Sequence, residues 1–270
     1  MKIFITGSSG FIGKNLVKFY KNYTIFEFRK GMNISDEIHK FDPDLIINCA
    51  AEIYNSDVMF ETNVDLVRKC LEYVKKNPLT KMIQLGSSSE YGTYDKATSE
   101  TDVLKPENIY AGTKAAATVL CQSYAILYNL DIIIVRPYSP YGPGDTSHRL
   151  FPSLWRSFIL DEPMTLVQGV HDFCYIDDFI EALDIIIHSN KRIPGEIINI
   201  SSGIQISNQQ LLTAFKTVTG RDGKVTVVDT FVTPLIWQAN IEYIRQKYQW
   251  SPKETLHSGI KKFLKRANYE

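Results

Sequence analysis

Residues 2–13, Lys2-Ile3-Phe4-Ile5-Thr6-Gly7-Ser8-Ser9-Gly10-Phe11-Ile12-Gly13, decide the reading of the chain. An apolar run of strand length passes into a glycine-rich turn, and Lys14 to Tyr20 then reads as a helix. Strand, glycine turn and helix in that order make a site for a pyrophosphate, because the first backbone N–H groups of the helix are unpaired and point at the anion. Gly7 and Gly10 let the backbone approach that anion, with Ser9, Phe11 and Ile12 around them. Gly13 lets the helix lie close to the strand.

The same alternation continues outward. Thr24-Ile25-Phe26-Glu27-Phe28 reads as a second strand and leaves through Arg29 and Lys30. A basic residue at that point accommodates a 2′-phosphate, whereas an acid binds the ribose hydroxyls, so NADP(H) is favoured over NAD(H). Asn33, opening a short helix over 34–40, is placed to reach the adenine edge. Asp44 to Ala51 is a buried parallel strand whose small residues Ala50 and Ala51 leave room for a ligand. Asp57 to Lys76 is amphipathic, and Asn63 within it is either a satisfied core residue or a clamp on the backbone of the site. The strand Lys81 to Leu85 ends in Gly86-Ser87-Ser88-Ser89-Glu90-Tyr91-Gly92, which places hydroxyls over the crevice.

Tyr110-Ala111-Gly112-Thr113-Lys114 opens the next helix. Tyr110 and Lys114, four apart, share a helix face, so an ammonium beneath the phenol would ease its ionisation and suit proton transfer. The strand 131–136 and the turn Pro137-Tyr138-Ser139-Pro140-Tyr141-Gly142-Pro143-Gly144 follow. Up to here the pattern specifies an α/β fold with a doubly wound parallel sheet. Beyond it, helices over 151–160, 176–188, 208–219, 234–248 and 254–266 and a strand near 164–166 surround Ile197 to Ile200, a returning strand of the main sheet. The expected division is a nucleotide-binding domain of residues 1–138 plus 176–201, and a smaller discontinuous α/β substrate lobe of 139–175 plus 202–270.

The 270 residues carry no formal net charge, 44% apolar and 22% charged residues, and no basic run, which points away from nucleic acid or a membrane surface as partner. Cys49, Cys70, Cys121 and Cys174 form no paired motif, and the chain starts directly in a strand, so a reduced cytoplasmic setting is expected. His39, His148, His171, His188 and His257 have no ligand spacing, and no metal is expected. Arg149 and Arg245 are candidates for substrate phosphates. Trp155 and Trp237 read as packing.

With these pieces placed, the chain resembles the extended short-chain dehydrogenase/reductase family, the nucleotide-sugar epimerases, dehydratases and reductases. TGSSGFIG at 6–13, the Tyr110 and Lys114 pair, the serine run before Tyr91-Gly92, RPYSPYGPG at 136–144 and HDFCYIDD at 171–178 carry the resemblance in order and spacing. It implies a Rossmann-type fold, a nicotinamide cofactor passing near Pro137, Tyr110 as proton donor or acceptor, and Lys114 on the nicotinamide ribose, lowering the tyrosine pKa. The implied hydroxyl is Ser88 when counted from the strand or from Glu90, and Ser87 when counted back from Tyr91; Ser88 is favoured, with Ser87 and Ser89 beside it.

Three features depart from the family pattern. His171 stands where an arginine is usual, Ser139 where an asparagine is frequent, and the link from Arg29 to Asn48 is compact, as in the deoxysugar reductases. The leading expectation is an NADPH-dependent reductase of a nucleotide-activated 4-keto-6-deoxy sugar. Glu90, at a dehydratase-like position, supports the alternative, an epimerase or 4,6-dehydratase that retains NAD(P). A catalytically silent NADP-binding protein is the third reading. Helices 57–76 and 110–128 resemble those that form the family's homodimer.

Overall fold

The computed structural model describes residues 1–231 and 236–267. Strands β1 (Lys2–Thr6), β2 (Thr24–Phe28), β3 (Leu45–Asn48), β4 (Lys81–Leu85), β5 (Ile132–Pro137) and β9 (Ile197–Ile200) form one sheet in the order β2-β1-β3-β4-β5-β9. Every pair in it is parallel. Because parallel strands need crossovers, helices cover both faces, and β3 and most of β5 are buried outright, which is why they read as unbroken apolar runs.

One face is covered by α2 (Ile34–Phe41), α4 (Leu66–Lys76) and α5 (Ile109–Tyr128), with Phe4, Val67, Cys70, Val74, Cys121 and Ile134 in a single core. The other carries α1 (Phe11–Phe19) and α7 (Ile176–His188). Its core runs on without a break into the elements that follow the sheet, joining Leu16, Ile47 and Phe179 to Phe151, Phe215 and Phe263. Those elements are β6 (Ser139–Tyr141), α6 (Leu150–Ile159), β7 (Met164–Gln168), β8 (Val170–Tyr175), β10 (Gln205–Ser207), α8 (Asn208–Thr219), β11 (Val225–Phe231), α9 (Glu242–Tyr248) and α10 (Leu256–Arg266). They make a three-stranded sheet, β10-β8-β6, and a two-stranded one, β11-β7. Tyr141 stacks on Phe151 at 3.9 Å between ring centroids, and Phe151 meets Phe173, Phe215 and Phe263 within 5.8 Å.

Asp172 of β8 ties these parts to the main sheet. Its carboxylate accepts from the Ser201 hydroxyl at 2.7 Å, the Ser202 N–H at 3.0 Å and the Ala239 N–H at 3.0 Å, so one buried anion gathers the end of β9 and the segment before α9.

Two expectations about elements are corrected. The helix expected over 57–76 is broken into α3 (Ser56–Phe60), one π-helical turn (Glu61–Asp65) and α4. The wide turn is where Asn63 leaves the helical stack to bond neighbouring backbone. The helix expected over 234–248 is helical only from Glu242; 234 and 235 lie outside the described residues, and Ala239 bridges Thr98 in parallel instead. Among the described residues no helix is long and apolar enough to cross a membrane.

Candidate active site

The sheet's strand order reverses between β1 and β3, and a cavity of about 760 Å³ opens above their carboxyl ends, within the range of small-molecule sites. Its floor is the glycine turn. Gly7 has φ +63°, and a Cβ there would lie 2.7 Å from the Ala50 nitrogen; a Cβ on Gly13 would lie 2.2 Å from the Gly7 carbonyl oxygen. Side chains are excluded at both points, so backbone lies directly beneath the cavity where α1 begins. Gly7, Gly10, Phe11, Ile12 and Gly13 all line it, and this bare turn at a helix N-terminus fits the pyrophosphate of a dinucleotide.

Over the middle of the cavity stand the serine turn and the start of α5. Ser87 caps the 3₁₀ turn Ser88–Tyr91: its Oγ accepts from the Ser89 N–H at 3.2 Å and lies 2.5 Å from the Ser89 Oγ, while the Glu90 carboxylate accepts from the Ser87 N–H at 2.7 Å. Of the three serines, Ser87 is the one that acts on the Tyr110 phenol, lowering its pKa. Ser88, favoured from the sequence, and Ser89 line the same wall. The capping box turns Ser87 toward α5, a local geometry that counting residues from Glu90 does not reveal.

Burial raises the Tyr110 pKa above its ordinary 10.0, and the hydrogen bond from Ser87 and the charge of Arg149 pull it back. Lys114 is buried and its pKa is lowered by that burial, with Glu90 opposing the change. Its ammonium donates to the Leu85 carbonyl.

Other candidates divide by position. Ala51, Pro137, Ser139, Arg149 and His171 line the cavity. Asn63 does not: its Oδ1 accepts from the Glu52 N–H at 2.8 Å, and its Nδ2 donates to the Glu52 carbonyl and to Thr113 Oγ1, both at 2.9 Å. It is the clamp of the two readings, fastening the loop after β3 to α5. Ala50 donates its N–H to Thr6 Oγ1 at 3.2 Å beside Gly7. Asn33, expected at the adenine edge, caps α2, accepting from the Ser35 N–H at 3.0 Å. Arg29 and Lys30 are exposed beyond the end of β2, and Arg29 pairs with Glu27 at 3.5 Å. Ser9 is exposed on the turn.

Two candidates are corrected. Glu90 is fully buried behind the serine turn and faces Arg136, so it cannot meet a sugar. Arg245 lies exposed on α9, away from the cavity walls.

The sequence reading missed the outer wall. Tyr54, in the loop after β3, reaches His148 Nε2 at 2.8 Å, closing one side, and Asp145 and Tyr138 complete the rim. Trp237, read as packing, lines the cavity and meets Tyr138 at 6.4 Å between centroids. Trp155 is indeed core. Aromatic residues scattered over loops carry no periodic signal; only the density of tyrosines in 138–141 hinted at a wall.

Comparison with known proteins agrees with this geometry. The profile of the NAD dependent epimerase/dehydratase family matches residues 3–201. The chain is 26% identical over 248 residues to the low-salt glycan biosynthesis protein Agl12 of Haloferax volcanii, covering 77% of this chain and 79% of that protein. It is 28% identical over 220 residues to a UDP-glucuronate 4-epimerase of Thermodesulfobacterium geofontis, covering 78% and 67%. The crystal structure of a dTDP-glucose 4,6-dehydratase from Bacillus anthracis in complex with NAD superposes with a TM-score of 0.89 at 25% identity, over 98% of this chain and 96% of that one.

His171 has a measurable consequence. Burial, with the Arg149 charge acting in the same direction, pulls its imidazole from 6.5 down to about 4. Between those values the unfolded chain takes up a proton that the folded chain refuses, so stability falls as pH drops through that window and is whole above it. His171→Gln removes this share. Urea unfolding should show the stability of the wild type falling relative to the variant as the pH is lowered from above 6.5 toward 4; parallel curves would contradict the burial of a neutral imidazole.

Proposed function

The chain belongs to the NAD-dependent epimerase/dehydratase family, and we propose that it is a redox-neutral epimerase acting at a hydroxyl-bearing carbon of a nucleotide-linked sugar, with a retained nicotinamide cofactor. The observation that carries the reading is that Ser87, Tyr110 and Lys114 line one cavity whose floor is the bare glycine turn, where no Cβ fits on Gly7 or Gly13. Gly7, Gly10 and Gly13 would hold the pyrophosphate, and Lys114, lining the same cavity as Tyr110, would hold the ribose. When bound, the nicotinamide takes up and returns hydride at the sugar carbon.

Tyr110 moves the proton. It removes the hydroxyl proton as the carbon is oxidised to the ketone and returns a proton to the carbonyl oxygen once the sugar has turned and hydride comes back to the opposite face of the carbon, with Ser87 hydrogen-bonding that oxygen at each transfer. Arg149, the cation on the cavity wall, favours the ionised phenol and suits a diphosphate. His171, neutral beside it, offers a hydrogen bond and no second charge. Elimination to a 4,6-dehydrated product would call on a glutamate of the serine turn, and Glu90 is held by Arg136 and the Ser87 N–H. That supports the epimerase over the dehydratase.

A second reading, an NADPH-dependent reductase of a 4-keto sugar nucleotide, is favoured by Arg29 and Lys30 at the end of β2 and by the compact link after it. The ion pair of Arg29 with Glu27 weakens that case, since an anion near the guanidinium opposes a 2′-phosphate. For the homodimer, the apolar side chains that α5 leaves exposed, Val119, Ile126 and Leu127, supply a surface.

Incubated with a panel of UDP- and dTDP-sugars, the protein should interconvert one pair of epimers without net change in cofactor absorbance, and Tyr110→Phe should lose turnover about 10²–10⁴-fold while still binding the dinucleotide. The dinucleotide released on denaturation should be NAD. Undiminished turnover by Tyr110→Phe would overturn the role of the phenol, and net consumption of NADPH would move the assignment to the reductase. Sedimentation at micromolar concentration should give the mass of two chains; a single-chain mass contradicts the dimer.

A further inference from the structure

Behind the serine turn lies a pair of charges that the proton chemistry above does not use. The side chains of Arg136 and Glu90 are 1% and 0% exposed. Glu90 Oε2 accepts from Arg136 Nε and Nη2, each at 2.9 Å, and Oε1 accepts from the Ser87 N–H at 2.7 Å. Burial pushes the Glu90 pKa up, and the Arg136 charge and the N–H donors on its oxygens oppose that by favouring the anion. The guanidinium lies 4.5 Å from the centroid of the Tyr91 ring, and the Tyr91 hydroxyl donates to Asn199 Oδ1 of β9 at 2.8 Å. The turn is thereby fastened to β5 and β9 as well as to its own strand β4. Gly86 is part of the arrangement, because a Cβ there would fall 2.5 Å from Glu90 Oε1.

A buried ion pair of this kind is weak as a source of stability, since desolvation offsets most of its attraction and a well-packed apolar pair serves a core as well. Its place is more telling. One oxygen of Glu90 sets the backbone of Ser87, and the whole charge lies close enough to Tyr110 and Lys114 to act on both.

We propose that the Glu90–Arg136 pair is a positioning device for the proton-transfer site, holding the Ser87 hydroxyl against Tyr110 and supplying the fixed negative neighbour of the Tyr110 and Lys114 side chains. The proposal rests on the reading of Tyr110 as the proton-transfer group. Facing Tyr110 are Ser87 and Glu90 from the serine turn and Arg149 from the segment before α6. Facing Lys114 are Glu90, Cys49 at the end of β3 and Cys121 on α5 itself. Facing Glu90 are Arg136 from β5 and Lys114 from α5. The charge of Glu90 raises the proton affinity of Tyr110 and of Lys114 alike; for the lysine it counters burial, and for the tyrosine it adds to burial.

Glu90→Gln keeps the shape and an acceptor for the Ser87 N–H and removes the charge. Because it leaves the Arg136 cation unpaired, the double variant Glu90→Gln/Arg136→Met, with neither buried charge, is the safeguard against loss of the fold. The ionisation of Tyr110 is read as the difference in ultraviolet tyrosinate absorbance between each protein and its own Tyr110→Phe partner, with the dinucleotide bound. In both variants it should move to lower pH, and the tyrosine-dependent limb of the pH–rate profile should move with it by the same amount, with KM nearly unchanged. Glu90→Asp, which retains the charge, should return the ionisation toward that of the wild type. An unmoved Tyr110 ionisation in both variants overturns the device, whatever happens to turnover. Wild-type turnover that survives Tyr110→Phe instead removes the reading beneath it.

Discussion

The approach of two backbones at the switch point of the sheet is the constraint on which the rest depends. Where β1 ends, Gly7 lies so near Ala50 that no Cβ fits between them, and Gly13 lies equally near Gly7. These contacts bring the start of α1 over the gap between β1 and β3, where parallel strands with a reversed order leave a crevice that no side chain fills. The unpaired N–H groups of the helix start and the open space arise together from one steric requirement. An alanine at either glycine would close the floor of the cavity before it touched any catalytic group.

Above that floor the site is built from groups whose natural preferences are opposed. Burial makes Tyr110 reluctant to lose its proton and Lys114 reluctant to keep one. The surroundings supply the corrections: Ser87 and Arg149 for the phenol, Glu90 for the ammonium. The clamp of Asn63 on Glu52 and Thr113 and the ion pair of Glu90 with Arg136 are costs of holding those corrections in place, borne outside the cavity itself. Site and support therefore occupy different sides of the same short turns.

What was legible in the sequence follows the same division. The glycine turn, the parallel sheet, and Tyr110 with Lys114 on one helix face could be read, since each depends on backbone conformation or on a helical period that spacing expresses directly. The direction of Ser87 could not, because in a 3₁₀ turn the direction of a side chain is set by the cap, here Ser87 itself with Glu90, a residue taken to face substrate. Asn63 was recognised as a polar residue in need of partners, and these proved to be the Glu52 backbone and the Thr113 hydroxyl. Arg245 failed for a simpler reason: it sits on a helix expected to start near 234 that begins at Glu242, so its distance from the cavity could not be judged. The wall made by Tyr54, His148 and Trp237 joins loops distant in the chain, and nothing local announces such a meeting.

The central claim, that the protein oxidises and re-reduces one carbon of a sugar without net redox change, is tested most directly by placing deuterium on the reacting carbon of the nucleotide sugar and following it by mass and NMR. The account predicts that the inverted product carries the deuterium on that same carbon, with unlabelled dinucleotide left in solution. Deuterium lost to water, transferred to free dinucleotide, or found on a neighbouring carbon of a dehydrated product would contradict it.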